Sequence, residues 1–141
     1  MKATDLMIGD WVKIKGHLDY DKVQEISRDE NMQWYISFAC SATLFRAYEF
    51  EPIPLTPEIL EKNGFEMFKY DGWVHYYRIF GNSAIPFVLH SMIGGEMLSQ
   101  EVGIFSTSTD TNCGIEVNYV HELQHALRLC RLNKLAENFK V

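Results

Sequence analysis

The sequence is poor in the residues that mark several common classes of protein. It has three cysteines, Cys40, Cys113 and Cys130, which are widely spaced and form no Cys-x-x-Cys motif. This opposes both a disulfide framework and a thiolate zinc site. The apolar run at residues 6–8 is too short for the core of a signal peptide. Reduced thiols and the absence of a leader together predict a cytoplasmic protein.

Clusters of basic residues and long apolar runs are also missing. Lys and Arg total 13 against 19 Asp and Glu, which gives a formal net charge of −6. Nucleic-acid binders normally carry clustered Lys and Arg that neutralise phosphates. The longest apolar stretch, at residues 84–92, contains Pro86 and His90, and it is about half of the ~20 residues that a membrane-spanning helix requires. We therefore expect neither a nucleic-acid partner nor a membrane span.

What the sequence does contain is a pattern of short strands in its first fifty residues. Hydrophobic residues make up 47% of the 141 residues, which is ample for a packed core. The clearest strand, at residues 32–38, places Met32, Trp34, Ile36 and Phe38 on one face. Further strands are predicted at residues 11–15, 20–26 and 44–50. Together they predict a small SH3-like barrel or bent antiparallel sheet over residues 1–52.

A short capped helix is predicted directly after this β unit. Thr56 is the expected N-cap, and the proline that follows it favours the first helical position. Gly64 can take the left-handed conformation that ends a helix. The apolar residues that flank the helix, Leu55 and Phe65, are expected to contact Leu60.

The second part of the chain, residues 53–141, is predicted to form a β meander closed by an amphipathic helix. Strands are expected at residues 66–70, 73–80, 85–90 and 114–118, the first two joined by an Asp-Gly turn. A polar run at residues 106–112 is expected to be a loop. The helix is predicted at residues 119–132 with Asn118 as its N-cap, and its apolar stripe consists of Val120, Leu123, Ala126, Leu127 and Cys130. The predicted fold class is α+β.

One motif in that helix carries recognisable chemistry, the H-E-x-x-H sequence at residues 121–125. His121 and His125 lie one helical turn apart, so both imidazoles could bind one zinc ion while Glu122 acts as general base toward a bound water. A zinc-dependent hydrolase is therefore one hypothesis for the function. The third ligand would have to be Glu137 downstream, or His75, His90 or a carboxylate upstream.

Other features of the helix oppose this hypothesis. A helical projection places both histidines on the side opposite the apolar stripe, where we expect them to face solvent. The longer metzincin motif is absent, since Arg128 and Arg131 stand where that motif has Gly and His. Cys130, on the stripe, is expected to be buried and inert. The histidines are then an ordinary surface pair, with no metal or other cofactor.

The remaining candidates are aromatic and acidic surfaces. Five aromatic residues could stack on a ligand, but without interleaved basic residues they are expected to be sheet core, and any left exposed would mark a protein interface: Trp11, Trp34, Trp73, Tyr76 and Tyr77. An acidic protein that mimics nucleic acid remains a third hypothesis, based on net charge alone. The preferred prediction is a non-enzymatic binding or accessory module that acts on a protein partner.

Three segments of the chain carry a resemblance. They are residues 1–12, with Ile8-Gly9-Asp10-Trp11-Val12, residues 53–65, and residues 119–124, Tyr-Val-His-x-Leu-Gln. In this order they resemble a family of small uncharacterised proteins of gut anaerobic bacteria, their prophages and other mobile elements. The resemblance implies a bacterial mobile-element protein and no known activity. In that family the position of Glu122 is commonly Gln and that of His125 varies, which opposes a shared catalytic role for the motif.

Overall fold

The structure, a computed structural model, describes residues 2–38, 41–46, 49–70, 73–78, 87–92, 100–104 and 113–141, with the backbone alone at residues 41–42, 70, 73–75, 87–92, 100–104 and 113–116. The strands in these ranges are β1 Trp11–Ile14, β2 Tyr20–Arg28, β3 Trp34–Phe38, β4 Ser41–Arg46, β5 Phe50–Glu51, β6 Glu66–Tyr70, β7 Trp73–Arg78, β8 Phe87–Met92, β9 Gln100–Ile104 and β10 Cys113–Glu116. The helices are α1 Pro57–Lys62, α2 Val120–Leu129 and α3 Asn133–Glu137, preceded by a 3₁₀ turn at Ala3–Asp5. The chain is therefore α+β.

The first sheet is antiparallel and curls into a half-barrel with the strand order β4-β3-β2-β1-β5. The strand predicted at residues 11–15 is present as β1, and its residues alternate, because Val12 and Ile14 are buried while Trp11 and Lys13 are partly exposed. The same period of two buries alternate residues of β3. The core of this sheet consists of Ala3, Leu6, Val12, Ile14, Val23, Ile36, Phe38 and Phe50.

Two details of the first sheet differ from the prediction. Met32 was expected on the buried face of the third strand, but it has a φ of 64° and its side chain is 60% exposed. It belongs to the turn before β3, so the apolar alternation extends beyond the strand itself. The single strand predicted at residues 44–50 is two strands, β4 and the short β5, which pair with β3 and β1 respectively.

The capped helix after the first sheet is confirmed. The Thr56 hydroxyl accepts from the backbone N–H of Ile59 at 3.4 Å, and the helix begins with Pro57. Gly64 has a φ of 74°, and beyond it the N–H of Phe65 donates to the carbonyl of Leu60 at 3.1 Å. The three apolar residues of the predicted cluster, Leu55, Leu60 and Phe65, are all buried.

The second sheet is an antiparallel meander with the strand order β10-β9-β8-β7-β6. The strand predicted at residues 66–70 has those bounds in the structure. Strand β8 begins and ends two residues later than predicted, and β9 lies in a stretch for which no strand was predicted. The turn predicted at residues 71–72 and the loop at 106–112 lie outside the described residues.

The chain divides into two compact units, and the second unit is an insertion in the sequence of the first. The first unit comprises residues 1–54, 119–139 and 141, and the second comprises residues 55–118 and 140. In this division the chain first leaves the first unit after residue 54, whereas the predicted boundary was after residue 52. Residues 119–139, which carry α2 and α3, belong with the first sheet, where α2 contacts β1.

The two points where the chain passes between the units lie beside each other. Within the first unit, Pro54 forms an antiparallel bridge with Tyr119, and the N–H of Val120 donates to the carbonyl of Ile53 at 3.0 Å. Within the second unit, the N–H of Leu55 donates to the carbonyl of Asn118 at 3.0 Å. The start and the end of the insertion are therefore held together by backbone hydrogen bonds.

The C-terminal helices differ from the prediction at their ends. Helix α2 is three residues shorter than predicted at its C-terminal end, and its N-cap is Tyr119 rather than Asn118. The tail beyond α2 forms α3, in which Ala136 is buried. Phe139, which follows α3, is 1% exposed, whereas Leu135 is only partly buried. None of the helices in the described ranges has the length and apolar character needed to cross a bilayer.

Candidate functional site

A buried carboxylate joins the turn before β1 to helix α2. Asp10 is fully buried, and its Oδ2 atom accepts from the backbone N–H of Met7 at 2.7 Å. The same oxygen lies 2.6 Å from Nε2 of His125, and Oδ1 lies 2.6 Å from Nη1 of Arg128. The second guanidinium nitrogen, Nη2, donates to the carbonyl of Ile8 at 3.2 Å. One carboxylate therefore fixes the turn at residues 7–10 against α2.

A buried amide makes a second connection in the same unit. Gln124 is fully buried, and its Oε1 accepts from the backbone N–H of Trp11 at 2.9 Å. Its Nε2 donates to the carbonyl of Gly9 at 3.0 Å and to that of Ala136 at 2.8 Å. The amide thus binds the β1 turn and α3 at once. Because all these partners are backbone groups, Gln124 serves to hold the structure together.

The H-E-x-x-H residues have structural partners as well. A carboxylate accepts hydrogen bonds, so the short contact with Asp10 requires Nε2 of His125 to carry a proton. Glu122 accepts from the backbone N–H of Tyr119 at 3.1 Å, which caps the first turn of α2. His121 is 4% exposed and stacks on Tyr119 with ring centroids 5.9 Å apart.

The prediction that both histidines face solvent is wrong. The projection correctly identified the buried stripe, since Val120, Leu123, Ala126 and Leu127 are all buried. It failed for the opposite side, because the turn at residues 7–10 covers that side too, and this contact joins residues 115 apart in the chain. Cys130 was expected to be buried, but it is partly exposed at the end of α2, and partial burial raises the pKa of its thiol.

The contacts of these residues give no support to a zinc site of the H-E-x-x-H type in the described part of the chain. Nε2 of His125 is engaged by Asp10, and the carboxylate of Glu122 lies at the helix cap instead of beside an open coordination position. Nδ1 of His121 is buried without a hydrogen-bond partner, and its ring centroid lies 5.9 Å from that of His125. Within the described ranges, no three His, Cys, Asp or Glu side chains are grouped to hold a metal ion.

The other predicted ligands are dispersed. Glu137 is exposed on α3. His75 and His90 occupy directly opposed positions on β7 and β8, and Glu101 on β9 is opposed to His90. The side chains of these three residues lie outside the part of the structure that is described, so no site is assigned to them.

Burial determines the protonation of His121. Desolvation in the interior holds the pKa of this imidazole below its ordinary value of 6.5. The carboxylates of Glu122, Asp10 and Asp5 act in the opposite direction, and the neighbouring His125 adds to the lowering. His121 is therefore a buried neutral ring at neutral pH, consistent with its stacking on Tyr119.

A groove is the candidate site that sequence reasoning missed. It is a shallow depression, open to solvent, with a volume of about 320 Å³, and it is lined by Ile14 from β1, Phe45 from β4 and Glu49 from the segment before β5. Lys15 and His17, in the turn after β1, complete its lining. Its volume is at the lower end of the range for small-molecule sites, about 300–1,000 Å³. The signal in the sequence was the break between β4 and β5, which the prediction treated as one strand.

The lining of the groove combines an apolar floor with exposed polar groups. Phe45 packs against Phe38 in a tilted arrangement and against Phe50 edge-to-face, at centroid distances of 5.4 and 6.2 Å. Lys15 and His17 are exposed. The carboxylate of Glu49 accepts from the backbone N–H of Arg46, and its carbonyl accepts from the N–H of Lys15 at 2.8 Å. The groove therefore presents an apolar surface beside a lysine and a histidine.

Exposed apolar side chains occur in both units, and they are mostly aliphatic. Leu18, next to His17, is 93% exposed, and Leu44, next to Phe45, is 54% exposed. Trp11 and Trp34 are partly buried, each with a cation over its ring, and Tyr76 is buried. Tyr77 is partly buried, and the side chain of Trp73 lies outside the described part.

Comparison of the chain with protein-family models, with curated proteins and with solved structures finds no match.

Proposed function

We propose that this protein is a non-enzymatic binding module, and that the groove between β4 and the β1–β5 end of the first sheet takes a short segment of a protein partner. The groove is the observation that carries the proposal. It combines concavity, an apolar floor of Ile14 and Phe45, and polar groups at its edge, which is the usual composition of a recognition site. Its volume suits one bulky side chain and the residues beside it.

The charges at the groove indicate which segment would bind. Lys15 and His17 are exposed, whereas the carboxylate of Glu49 already accepts a backbone hydrogen bond. A partner with a bulky apolar side chain next to a carboxylate would bury the first on Phe45 and place the second beside Lys15. The net charge of −6 works against acidic partners at long range, so the recognition would depend on this local cation.

We further propose that the first sheet is an incompletely closed SH3-like barrel and that the protein works in a bacterial cytoplasm as an accessory of a prophage or other mobile element. A fifth strand that returns to pair with the first supports the barrel. The three signature segments and the shortage of cysteine support the setting. Two of these segments meet in the structure, since Gln124 binds the backbone of Gly9 and Trp11.

The proposal is tested by titrating three blocked tripeptides, Asp-Leu-Asp, Asn-Leu-Asn and Asp-Gly-Asp, into isotope-labelled protein and following NMR shifts. We expect Asp-Leu-Asp to perturb Ile14 and Phe45 and to bind more tightly than the other two peptides. Lys15→Glu should remove the preference for Asp-Leu-Asp over Asn-Leu-Asn. Lys134→Glu is a control that changes the net charge equally on α3 and should keep the preference.

Perturbations confined to residues outside the groove, or the same affinity for all three peptides, would contradict the proposed site. The contacts of Glu122 with the backbone of Tyr119 and of His125 with Asp10 do not support the zinc-hydrolase hypothesis. The hypothesis of a nucleic-acid mimic still rests on net charge alone.

A further inference from the structure

Four residues of metal-binding types stand in one row across the second sheet. His75 on β7 is directly opposed to His90 on β8, and His90 is directly opposed to Glu101 on β9. Glu101 is in turn opposed to Glu116 on β10. Because directly opposed residues of antiparallel strands belong to the same face of a sheet, the backbone register places all four residues on one face.

The described neighbours of this row show which face carries it. Phe68 on β6, directly opposite His75, is 41% exposed. Tyr77 lies two positions after His75 and so on the same face, where its hydroxyl donates to Glu66 at 2.7 Å. Tyr76, on the other face, is buried. The row therefore lies on a face that solvent reaches, which we call the open face.

The neighbouring row on the other face has a different composition. One position along each strand, the register opposes four apolar residues in succession, Tyr76, Leu89, Val102 and Ile115. Such a row is typical of the packed face of an antiparallel sheet, and its partner on the open face is expected to be polar. Polarity alone, however, does not call for two histidines beside a glutamate.

The spacing of opposed residues suits a shared metal ion. Their Cβ atoms are about 4.5–5.5 Å apart, close to the ~5–6 Å between residues i and i+4 of a helix, which is the spacing that H-E-x-x-H motifs use for two zinc ligands. His90 stands in the centre of the row, with His75 and Glu101 each one strand away. Two histidines and a glutamate are a ligand set that zinc uses in proteins.

The two carboxylates of the row also favour a cation. Glu101 and Glu116 are directly opposed, and like charges at such positions destabilise a sheet. A divalent cation beside Glu101 offsets this repulsion. The formal net charge of −6 favours the approach of cations to the protein as a whole.

We propose that His75, His90 and Glu101 form a binding site for one zinc ion on the open face of the second sheet. Glu116 lies two strand spacings of ~4.8 Å from the central strand β8, so it is about 10 Å away and contributes charge alone. The site belongs to the second unit. It is thus separate from the groove of the first sheet and from the H-E-x-x-H sequence.

The histidines of the wild-type chain provide a test that needs no variant. The sequence has five, His17, His75, His90, His121 and His125, and NMR of isotope-labelled protein distinguishes their imidazole signals. Zinc is titrated into untagged protein from which metal has been removed with a chelator. We expect saturation at one equivalent, with shifts at His75 and His90 and none at the other three histidines.

A matched pair of carboxamide variants tests the third ligand. Glu101→Gln and Glu116→Gln remove the same charge from neighbouring strands. Loss of a group that only orients a metal ligand costs about 10–100-fold in affinity, so Glu101→Gln should raise the Kd for zinc by about 100-fold. Glu116→Gln should raise it by no more than about fivefold, the effect of one charge roughly 10 Å from a divalent ion in water.

Three results would overturn the proposal. One is a wild-type chain that binds no zinc when zinc is in excess. Another is a set of zinc-induced shifts at His121 and His125 but not at His75 and His90, which would place the metal at the H-E-x-x-H sequence. The third is an equal change of Kd in Glu101→Gln and Glu116→Gln when both variants are folded by circular dichroism.

Discussion

Replacing Asp10 with alanine should destabilise the protein more than any other single change of a polar residue considered above. The substitution removes a carboxylate that is fully buried and accepts three hydrogen bonds, from Met7, His125 and Arg128. It leaves Arg128 and the backbone N–H of Met7 without this acceptor. The turn at residues 7–10 would lose its main attachment to α2.

The expected cost follows from the burial of the three groups. Removing one partner of a buried ion pair costs about 3–5 kcal/mol, because the remaining charge is left without compensation. The side chains of Arg128 and His125 are 18% and 23% exposed, so water can partly replace the lost acceptor. We therefore expect a loss at the lower end, about 3 kcal/mol, out of a total free energy of unfolding of about 5–15 kcal/mol for an ordinary domain.

Urea unfolding of the wild type and Asp10→Ala, followed by tryptophan fluorescence, measures this loss. Hydrogen exchange of the Met7 and Trp11 amides is a local second readout, and both amides should exchange faster. Asp19→Ala, in the exposed turn between β1 and β2, is the control and should change stability by less than about 0.5 kcal/mol. A loss below about 1 kcal/mol in Asp10→Ala, with unchanged amide exchange, would refute the reasoning.

A double-mutant cycle separates the contribution of the arginine from that of the histidine. Arg128→Met keeps much of the aliphatic side chain and removes the charge. In the background of Asp10→Ala this second change should cost little, giving a coupling energy of about 1–3 kcal/mol between the two residues. Additive effects would mean that the 2.6 Å contact contributes no stability.

Three further outcomes are expected. His121→Phe keeps a stacked ring but removes the buried unpartnered nitrogen, so the variant should be as stable as the wild type or more stable at pH 7. Because folding lowers the pKa of His121, the unfolded wild type binds more protons than the folded protein below pH 6.5, and the stability advantage of the variant should grow as the pH falls from 6.5. Urea unfolding of both proteins across this pH range measures the advantage, and a constant difference would refute the reasoning. Gly64→Ala should lower the free energy of unfolding by about 1–2 kcal/mol for its positive φ, and further because Nη1 of Arg78 lies 3.2 Å from the new methyl position and must move. In Gly16→Ala the new methyl meets nothing within 4 Å, so this variant should show the backbone cost alone. Equal losses for the two variants in thermal unfolding would show that Arg78 moves freely. Zinc content of untagged wild type and His121→Ala, purified without chelators or a nickel column, should be the same, and loss of one equivalent in the variant would revive the hydrolase hypothesis.

Local patterns predicted the elements whose determinants lie close together in the sequence. The helix at α1 was predicted with its cap, its first proline and its terminating glycine because Thr56 and Gly64 act on neighbouring backbone groups. The bounds of β6 followed from the turn residues on either side. Alternation and helical spacing also identified the buried residues of β1 and the stripe of α2.

The predictions failed where a residue distant in the chain supplies the partner. A helical projection treats one side of a helix as buried and the other as solvent, whereas the turn that holds Asp10 covers the second side of α2. Nothing in residues 119–132 signals this, because Asp10 and His125 are separated by 115 positions. The same holds for Gln124, whose polar side chain would have been assigned to a surface. The groove was missed because its lining comes from separate strands that only the fold brings together.

The hydrogen bond from the indole of Trp11 to the carbonyl of Phe139 spans 128 positions of the chain. During synthesis on the ribosome, β1 and its neighbours emerge early but must wait for α2 and α3 before the buried hydrogen bonds of Asp10 and Gln124 can form. The inserted unit, residues 55–118, has most of its own chain available sooner. The part of the protein translated first would then be the part that matures last, and until then its exposed apolar sheet would depend on chaperones or on rapid translation for protection.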